Sequence, residues 1–558
     1  MNNNDTIAPN VQASHKKGSN QVPEAIEDRS AGDIEANARP TTTISDNPKI
    51  LSLTKQVFIT ITLALTTVLT SSGAQVLFIA LPTIEKDLKV NEGELQWIVV
   101  SYNLAVGCLL LVSGRIADIY GRKKLLIAGM VILTIFNFIG GFMKNGSALI
   151  VTRALAGCGV ALTTPSTTGI IAELFEGKAR SRVFTIYAAG YSLGGILGLV
   201  IGGLFVSYVR HTWRSALFFI TGLGLLGTIM AIFIIPSDGT HTKDKHVDWP
   251  GAILSTVGLV FFSFAISGAQ SAPEGWKTDY ILALLVIGVF LIIAFFFWEH
   301  HVATKTPHSP MMRLALWTRA KGRLAVLYLT GFLAMMGFIP ALYNSTLFFQ
   351  NVQSTGTVGA MLRFLPTEIS GVICTILVIL LIHRVPAYQL LVLGLLATGF
   401  GNMCFALSEE NTNYWKLPFH GMWLIVFGCD LYQPTGLIFV SKFSYSDEYS
   451  VAGGLFQTML RLGNSVGLAL SSIMFNSIYQ QNLHKGLEDK IAYLKGLQAS
   501  FWLSAGGCWF GVFIASFALK SLGTVGKDQE DKEKENDKAQ NPVQNQNQEE
   551  NIKSRAEE

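Results

Sequence analysis

A few ionisable side chains sit deep inside long apolar stretches, among them Arg153, Glu368, Asp430 and Arg461. Charge in a hydrocarbon environment is costly, so such residues persist where they pair, titrate or meet a polar substrate. A carboxyl group that apolar surroundings keep protonated, with a base or water within reach, can take up and release a proton. Asp430 is the stronger candidate, because Cys429, Tyr432, Gln433 and Pro434 surround it with polar and helix-breaking residues. Glu368 is its rival, and neutralisation of an Arg across helices is the competing account of either acid. Arg153 can couple to a proton or anchor helix carbonyls, and Arg461 can pair with the loop chemistry at the inner face. The chemistry on offer is proton movement. Neither a phosphate-binding Gly-x-x-x-x-Gly-Lys-Ser/Thr nor a hydrolase or zinc-protease signature occurs, so no cofactor, metal or ATP is expected, and the chain is not read as an enzyme.

These residues need elements that hold them in a bilayer. Half of the 558 residues are hydrophobic and only 14% are charged, with a mean hydropathy of +0.40; soluble domains carry about 25% charged residues. The balance of 42 basic against 38 acidic residues argues against nucleic acid as a partner. Apolar runs of membrane-spanning length occur at 57–82, 94–113, 125–143, 148–172, 183–206, 215–235, 251–270, 281–298, 324–348, 357–382, 390–407, 420–441, 455–479 and 500–519. The fold class expected is therefore all-α, a polytopic membrane protein with fourteen helices. With both termini cytoplasmic, the inner loops hold sixteen Lys and Arg and the outer loops ten, the sense of the positive-inside bias. All six cysteines lie within apolar runs and read as packing residues. The tails, 1–50 and 520–558, are polar and rich in Asn, Gln, Lys and Glu, and are expected to be disordered.

Between helices 2 and 3, Gly114, Arg115, Asp118, Gly121, Arg122, Lys123 and Lys124 form a short basic connection. Positive charge fixes it on the cytoplasmic side. The glycines are expected to give the turn its freedom, and Asp118 to offset exposed amide groups or pair with an Arg. In the second half, aligning Asp118 with His383 puts Gly121 on Pro386 and Gly129 on Gly394, a decayed copy that indicates a parallel repeat.

The 114–124 segment resembles the loop between helices 2 and 3 of major facilitator superfamily transporters. Arg153, Gly157, Gly159 and Pro165 resemble that family's helix 4 motif, with Ala156 where a Gln is usual. Six, two and six helices resemble the fourteen-spanner drug:proton antiporters of fungal type. The resemblance implies an N-terminal half at 57–235, two inserted helices at 251–298 and a C-terminal half at 324–519. It implies a gating loop of Gly114, Asp118, Gly121 and Arg122, and proton coupling through Arg153; Asp430, Glu368 and Arg461 stand beside it as coupling candidates from their place in the apolar runs. Helix 5 carries Gly190, Gly194, Gly195, Gly198, Gly202 and Gly203, a ridge for close packing, with Leu199 where antiporters usually have Pro. Helix 1 offers Ser71, Ser72 and Gln75 where many relatives have an acid.

Gln96, Tyr102, Asn103, Tyr343, Asn344, Gln457 and Asn464 are the candidates to line a central cavity. The function implied is proton-coupled export of drugs or toxic metabolites by alternating access between the halves. The runner-up is transport of a small inorganic or nitrogenous solute such as ammonium or borate, and a third reading is a membrane nutrient sensor without flux. The expected partners are a small-molecule substrate, protons and the lipid bilayer. A monomer in the plasma membrane is expected, with the vacuolar or endoplasmic reticulum membrane as alternatives.

Overall fold

The computed structural model describes residues 52–520, apart from 79, 91, 238–245, 270, 271, 273, 274, 307, 356, 383 and 446. The two tails and His383 thus lie outside the described residues. Fourteen long helices run through the described chain: α1 (Leu53–Gln75), α2 (Glu92–Tyr120), α3 (Arg122–Gly140), α4 (Gly146–Leu174), α5 (Gly177–Tyr208), α6 (Thr212–Ile234) and α7 (Trp249–Gly268). They continue as α8 (Asp279–Lys305), α9 (Arg323–Leu347), α10 (Thr357–Leu381), α11 (Ala387–Ala406), α12 (Pro418–Phe443), α13 (Tyr449–His484) and α14 (Asp489–Ala518). Thirteen are long and apolar enough to cross a membrane. The exception, α13, is the longest at 36 residues, and it carries Gln457, Arg461 and Asn464 along its length.

Hydropathy marks the apolar middle of each helix and misses its polar ends. Hence α14 begins at Asp489 and α13 at Tyr449, well before the apolar runs expected at 500 and 455. Local caps set several starts: the Asn145 side chain accepts from Ala148 N–H at 2.8 Å, and Asp248 accepts from Gly251 N–H at 3.0 Å.

Pairing follows a repeated order. α1 packs on α5 and α6, α2 on α4, and α3 on α4 and α6; in the later part α9 packs on α13 and α14, α10 on α12, and α11 on α12 and α14. The first six and the last six meet through α2 and α4 against α13, and α5 against α10 and α12. α7 and α8 pair with each other, and α7 leans on α2 and α13, with Trp97 stacked on Phe264 at 4.8 Å. The glycine ridge of α5 faces α1: a Cβ at Gly190 would stand 2.9 Å from the Ala64 carbonyl, and one at Gly198 2.8 Å from that of Ser72. Ser71 and Ser72 complete that seam by donating to the carbonyls of Tyr191 and Gly194 at 2.7 and 2.8 Å. The polar residues of helix 1 therefore tie it to α5.

One expectation about the 114–124 segment is corrected. α2 runs to Tyr120 and α3 starts at Arg122, so the turn is the single residue Gly121. Its φ of 107° is open only to glycine. Gly114 lies inside α2, where its missing side chain lets the α13 backbone approach: a Cβ there would stand 2.8 Å from the Ser450 carbonyl oxygen.

Candidate functional site

The inner end of the interface is built from the charges of the α2–α3 turn. The i, i+4 spacing of Asp118 and Arg122 survives the turn at Gly121, and the guanidinium donates to Asp118 Oδ1 at 2.7 and 3.0 Å. Arg122 also reaches Glu173 Oε2 on α4 at 2.6 Å and Ser450 Oγ on α13 at 3.0 Å. Both oxygens of Asp118 accept from the first turn of α13, from Ser450 N–H at 3.3 Å and Val451 N–H at 3.0 Å. A carboxylate thus closes the electropositive end of a helix that belongs to the other set of six. Asp118 and Arg122 are buried, so this latch is shielded from solvent. The sequence flagged Asp118 and Arg122; Glu173 and Ser450 were missed, because nothing local links them to a turn fifty or more residues away.

A second inner network joins the α8–α9 linker to the same place. Arg313 pairs with Asp447 at 2.7 Å, and Arg319 pairs with Glu448, the residue preceding α13. Upstream, buried Glu299 on α8 accepts from Met312 N–H at 3.3 Å, and Asp248 at the start of α7 accepts from Trp298 Nε1 at 2.9 Å.

Arg153 is held entirely within the first six helices. Its guanidinium donates to the Gly73 carbonyl at 2.7 Å, to the Ile98 carbonyl at 3.4 Å and to Asn137 Oδ1 at 3.5 Å, and it lies over the Tyr102 ring at 4.3 Å. Among the described residues it has no carboxylate partner. That geometry is an anchor joining α1, α2, α3 and α4. Tyr102 shares the anchor, donating to the Thr70 carbonyl at 2.8 Å and only 1% exposed, so it does not line an open cavity. Asn344 is corrected likewise, since its amide donates to Ser471 Oγ at 2.9 Å and ties α9 to α13. Tyr343 is exposed. The side chains of Gln96 and Glu368 lie outside the described residues.

Midway through the molecule the geometry loosens. Asp430 on α12 accepts from Ser192 Oγ on α5 at 2.9 Å, a hydrogen bond between the two sets of six. Pro434 lies one turn further on and removes the N–H that would bond the Asp430 carbonyl, which weakens the helix there. Gly371 on α10 leaves room for this pair: a Cβ there would stand 2.8 Å from Ser192 Oγ.

Arg461 is about 18 Å along α13 from Tyr449 at the usual rise per residue. It therefore does not reach the inner loops, contrary to the pairing expected from sequence; it donates to Asn103 Oδ1 on α2 at 3.4 Å. Gln457 and Asn464, one turn to either side of it, have a buried Nε2 and Oδ1 without hydrogen-bond partners.

Among the described residues, no cluster of His, Cys, Asp and Glu is arranged to hold a metal ion. The arrangement offers paired charges at one end of the α2–α13 contact and lightly held polar groups in its middle.

Residues 63–269 match the family model of the Major Facilitator Superfamily. An uncharacterized transporter of Saccharomyces cerevisiae is 27% identical over 528 residues, 92% of this chain and 95% of its own length. A low affinity ammonium transporter of the same yeast is 23% identical, covering 76% of this chain and 81% of its own. A multidrug transporter of the superfamily from Aspergillus fumigatus is 27% identical, covering 78% and 81%. Among solved structures, the proton:xylose symporter XylE superposes with a TM-score of 0.58 at 14% identity, over 85% of this chain and 98% of its own; that likeness speaks for the fold alone. Repeated pairing of six helices, a buried Asp118–Arg122 latch on α13 and these relatives agree: the chain is a fungal-type member of the major facilitator superfamily, a membrane transporter of small molecules.

Proposed function

We propose that this chain exports drugs or toxic metabolites by proton-coupled alternating access, with Asp430 as the protonated group. The observation that carries the reading is the hydrogen bond from Ser192 Oγ to Asp430 Oδ2. It joins α5 of one half to α12 of the other, so the charge on one carboxyl bears directly on how the halves meet. A transporter whose helix 1 has no acid needs another titratable group at this depth, and Asp430 stands about 20 Å along α12 from its inner end. Closure of the inner gate by Asp118 on α13 supplies the second requirement, a barrier on one side while the other side exchanges solute.

The domain assignment follows the same logic: a half at 57–235, a half at 324–519 and the inserted pair at 251–298, with tails that set abundance and placement. The bias of Lys and Arg puts both termini in the cytoplasm, and export of toxic solutes suits the plasma membrane and a monomer. The multidrug transporter of Aspergillus fumigatus among the relatives favours this reading. The ammonium transporter among the relatives supports a nitrogenous solute as the second reading; a fixed cation, Arg461, in the middle of the molecule opposes it.

The test is accumulation of a candidate panel in sealed vesicles with a pH gradient imposed or collapsed. Asp430→Asn is expected to abolish gradient-driven accumulation while substrate binding and downhill exchange persist. Glu368→Gln is the matched control and takes over the assignment if it alone uncouples. Normal gradient-driven accumulation in both variants would sink proton coupling through these acids.

A further inference from the structure

Arg461 stands at the junction of the halves with most of its hydrogen-bonding capacity unused. A guanidinium offers five N–H donors and keeps its charge at any physiological pH. The described residues give this one a single long hydrogen bond, to Asn103 Oδ1, and no carboxylate within ion-pair distance. The acid at similar depth, Asp430, is engaged by Ser192. By contrast Arg122 and Arg153, both buried, each make several bonds.

The surroundings repeat the pattern. Gln457, Arg461 and Asn464 follow one another at spacings of four and three, so they share one face of α13. On that face Gly107 of α2 faces Arg461, where an added Cβ would stand 3.4 Å from that of the Arg. Gln457 is 3% exposed and its Nε2 donates to nothing. A half-buried cation short of partners, sharing a helix face with a buried unpaired amide donor, has the composition of a site for an organic anion.

We propose that the transported solute carries an anionic group, a carboxylate or its equivalent, which Arg461 binds with help from Gln457. This rests on the transport reading above and narrows its substrate class. The anion completes the hydrogen bonding that the protein leaves open, and it does so where α2 of the first six helices meets α13 of the last six. Bound solute then contacts both halves, as alternating access requires.

The experiment uses the purified full-length protein in detergent, with fluorescein as an anionic probe read by fluorescence anisotropy, benzoate as competitor and rhodamine 6G as a cationic counter-probe. Fluorescein should bind and be displaced by benzoate. Arg461→Gln should weaken it by about tenfold or more, and Arg461→Lys by less, because the ammonium keeps the charge and loses the forked donors. Gln457→Leu should weaken it by about threefold; its Nε2 makes no bond whose loss would unfold the protein, so this variant serves if Arg461→Gln fails to fold. Rhodamine 6G should not share these losses. Unchanged fluorescein affinity in Arg461→Gln or in Gln457→Leu, or a wild-type protein that binds rhodamine 6G and neither anion, would overturn the proposal. Flux through sealed proteoliposomes separates the two readings. Arg461-dependent binding without flux leaves the anion site standing and removes transport; rhodamine 6G flux without anion binding does the reverse.

Discussion

Arg122, at the start of α3 where the α2–α13 seam ends, and Arg461 of α13, midway along that seam, are treated in opposite ways. Arg122 is surrounded by Asp118, Glu173 and Ser450 and is fully buried. Arg461 is half-buried and, among the described residues, holds only Asn103. Arg153, inside one half, resembles Arg122 in saturation, although its partners are carbonyls, an amide and a ring. The difference teaches where the molecule is scaffold and where it is poised. Charge whose bonds are all made by the protein fixes helices to each other. Charge left short of partners in a low-dielectric interior gains most from something that arrives from outside.

The largest effect should come from breaking the saturated anchor. Arg153→Ala leaves the carbonyls of Gly73 and Ile98 without their donor, at a cost of about 3 kcal/mol, and thermal unfolding of the purified protein should show a clear loss. Arg461→Gln should unfold near the wild-type temperature. Equal destabilisation by the two substitutions would erase the contrast between them.

Next in size is Asp118→Asn, which keeps the shape of the side chain and removes its charge from Arg122 and the α13 terminus. About 1.4 kcal/mol lost from the inner-closed state shifts the gate equilibrium tenfold. Initial transport rates should fall by about tenfold at normal abundance, and spin labels at Lys124 and Lys442 should report inner ends that spend more time apart. Normal rates with unchanged label distances would show that the latch is ornamental.

A smaller effect is expected from Glu448→Gln, which releases Arg313 and Arg319 from the residue before α13. The arginines are partly solvent-exposed, so screening holds the cost to about 0.5–1 kcal/mol and transport should stay within about threefold. A loss as deep as that of Asp118→Asn would move the main gate contact to the linker.

The smallest belongs to Lys123→Ala. Its ammonium closes the C-terminal end of α6 through the carbonyls of Ile232 and Ile235 at 2.8 and 2.5 Å, an exposed contact of about 0.5 kcal/mol. Rates should change by less than about twofold, and a larger change would mean that Lys123 carries more than topology.

The sequence alone determined the class of the molecule, since apolar runs and the spacing of Gly114, Asp118, Gly121 and Arg122 follow from local chemistry that a bilayer imposes. It also singled out Asp430, because a carboxyl next to Pro434 in an apolar run is conspicuous without any neighbour. The tertiary structure decided which polar residues were already satisfied. Asn344, Tyr102 and Arg153 look as available in sequence as Gln457, Asn464 and Arg461, yet the first three are bonded within the scaffold, whereas Gln457 Nε2 and Asn464 Oδ1 have no partner and Arg461 has one long bond among the described residues. Ser192, Glu173, Ser450 and Glu448 carry no local mark at all; they matter because packing brings them to a charge from a distant part of the chain. Periodicity and composition report how each helix meets water or lipid, whereas hydrogen-bond saturation depends on which helix lies opposite, and only the folded chain specifies that.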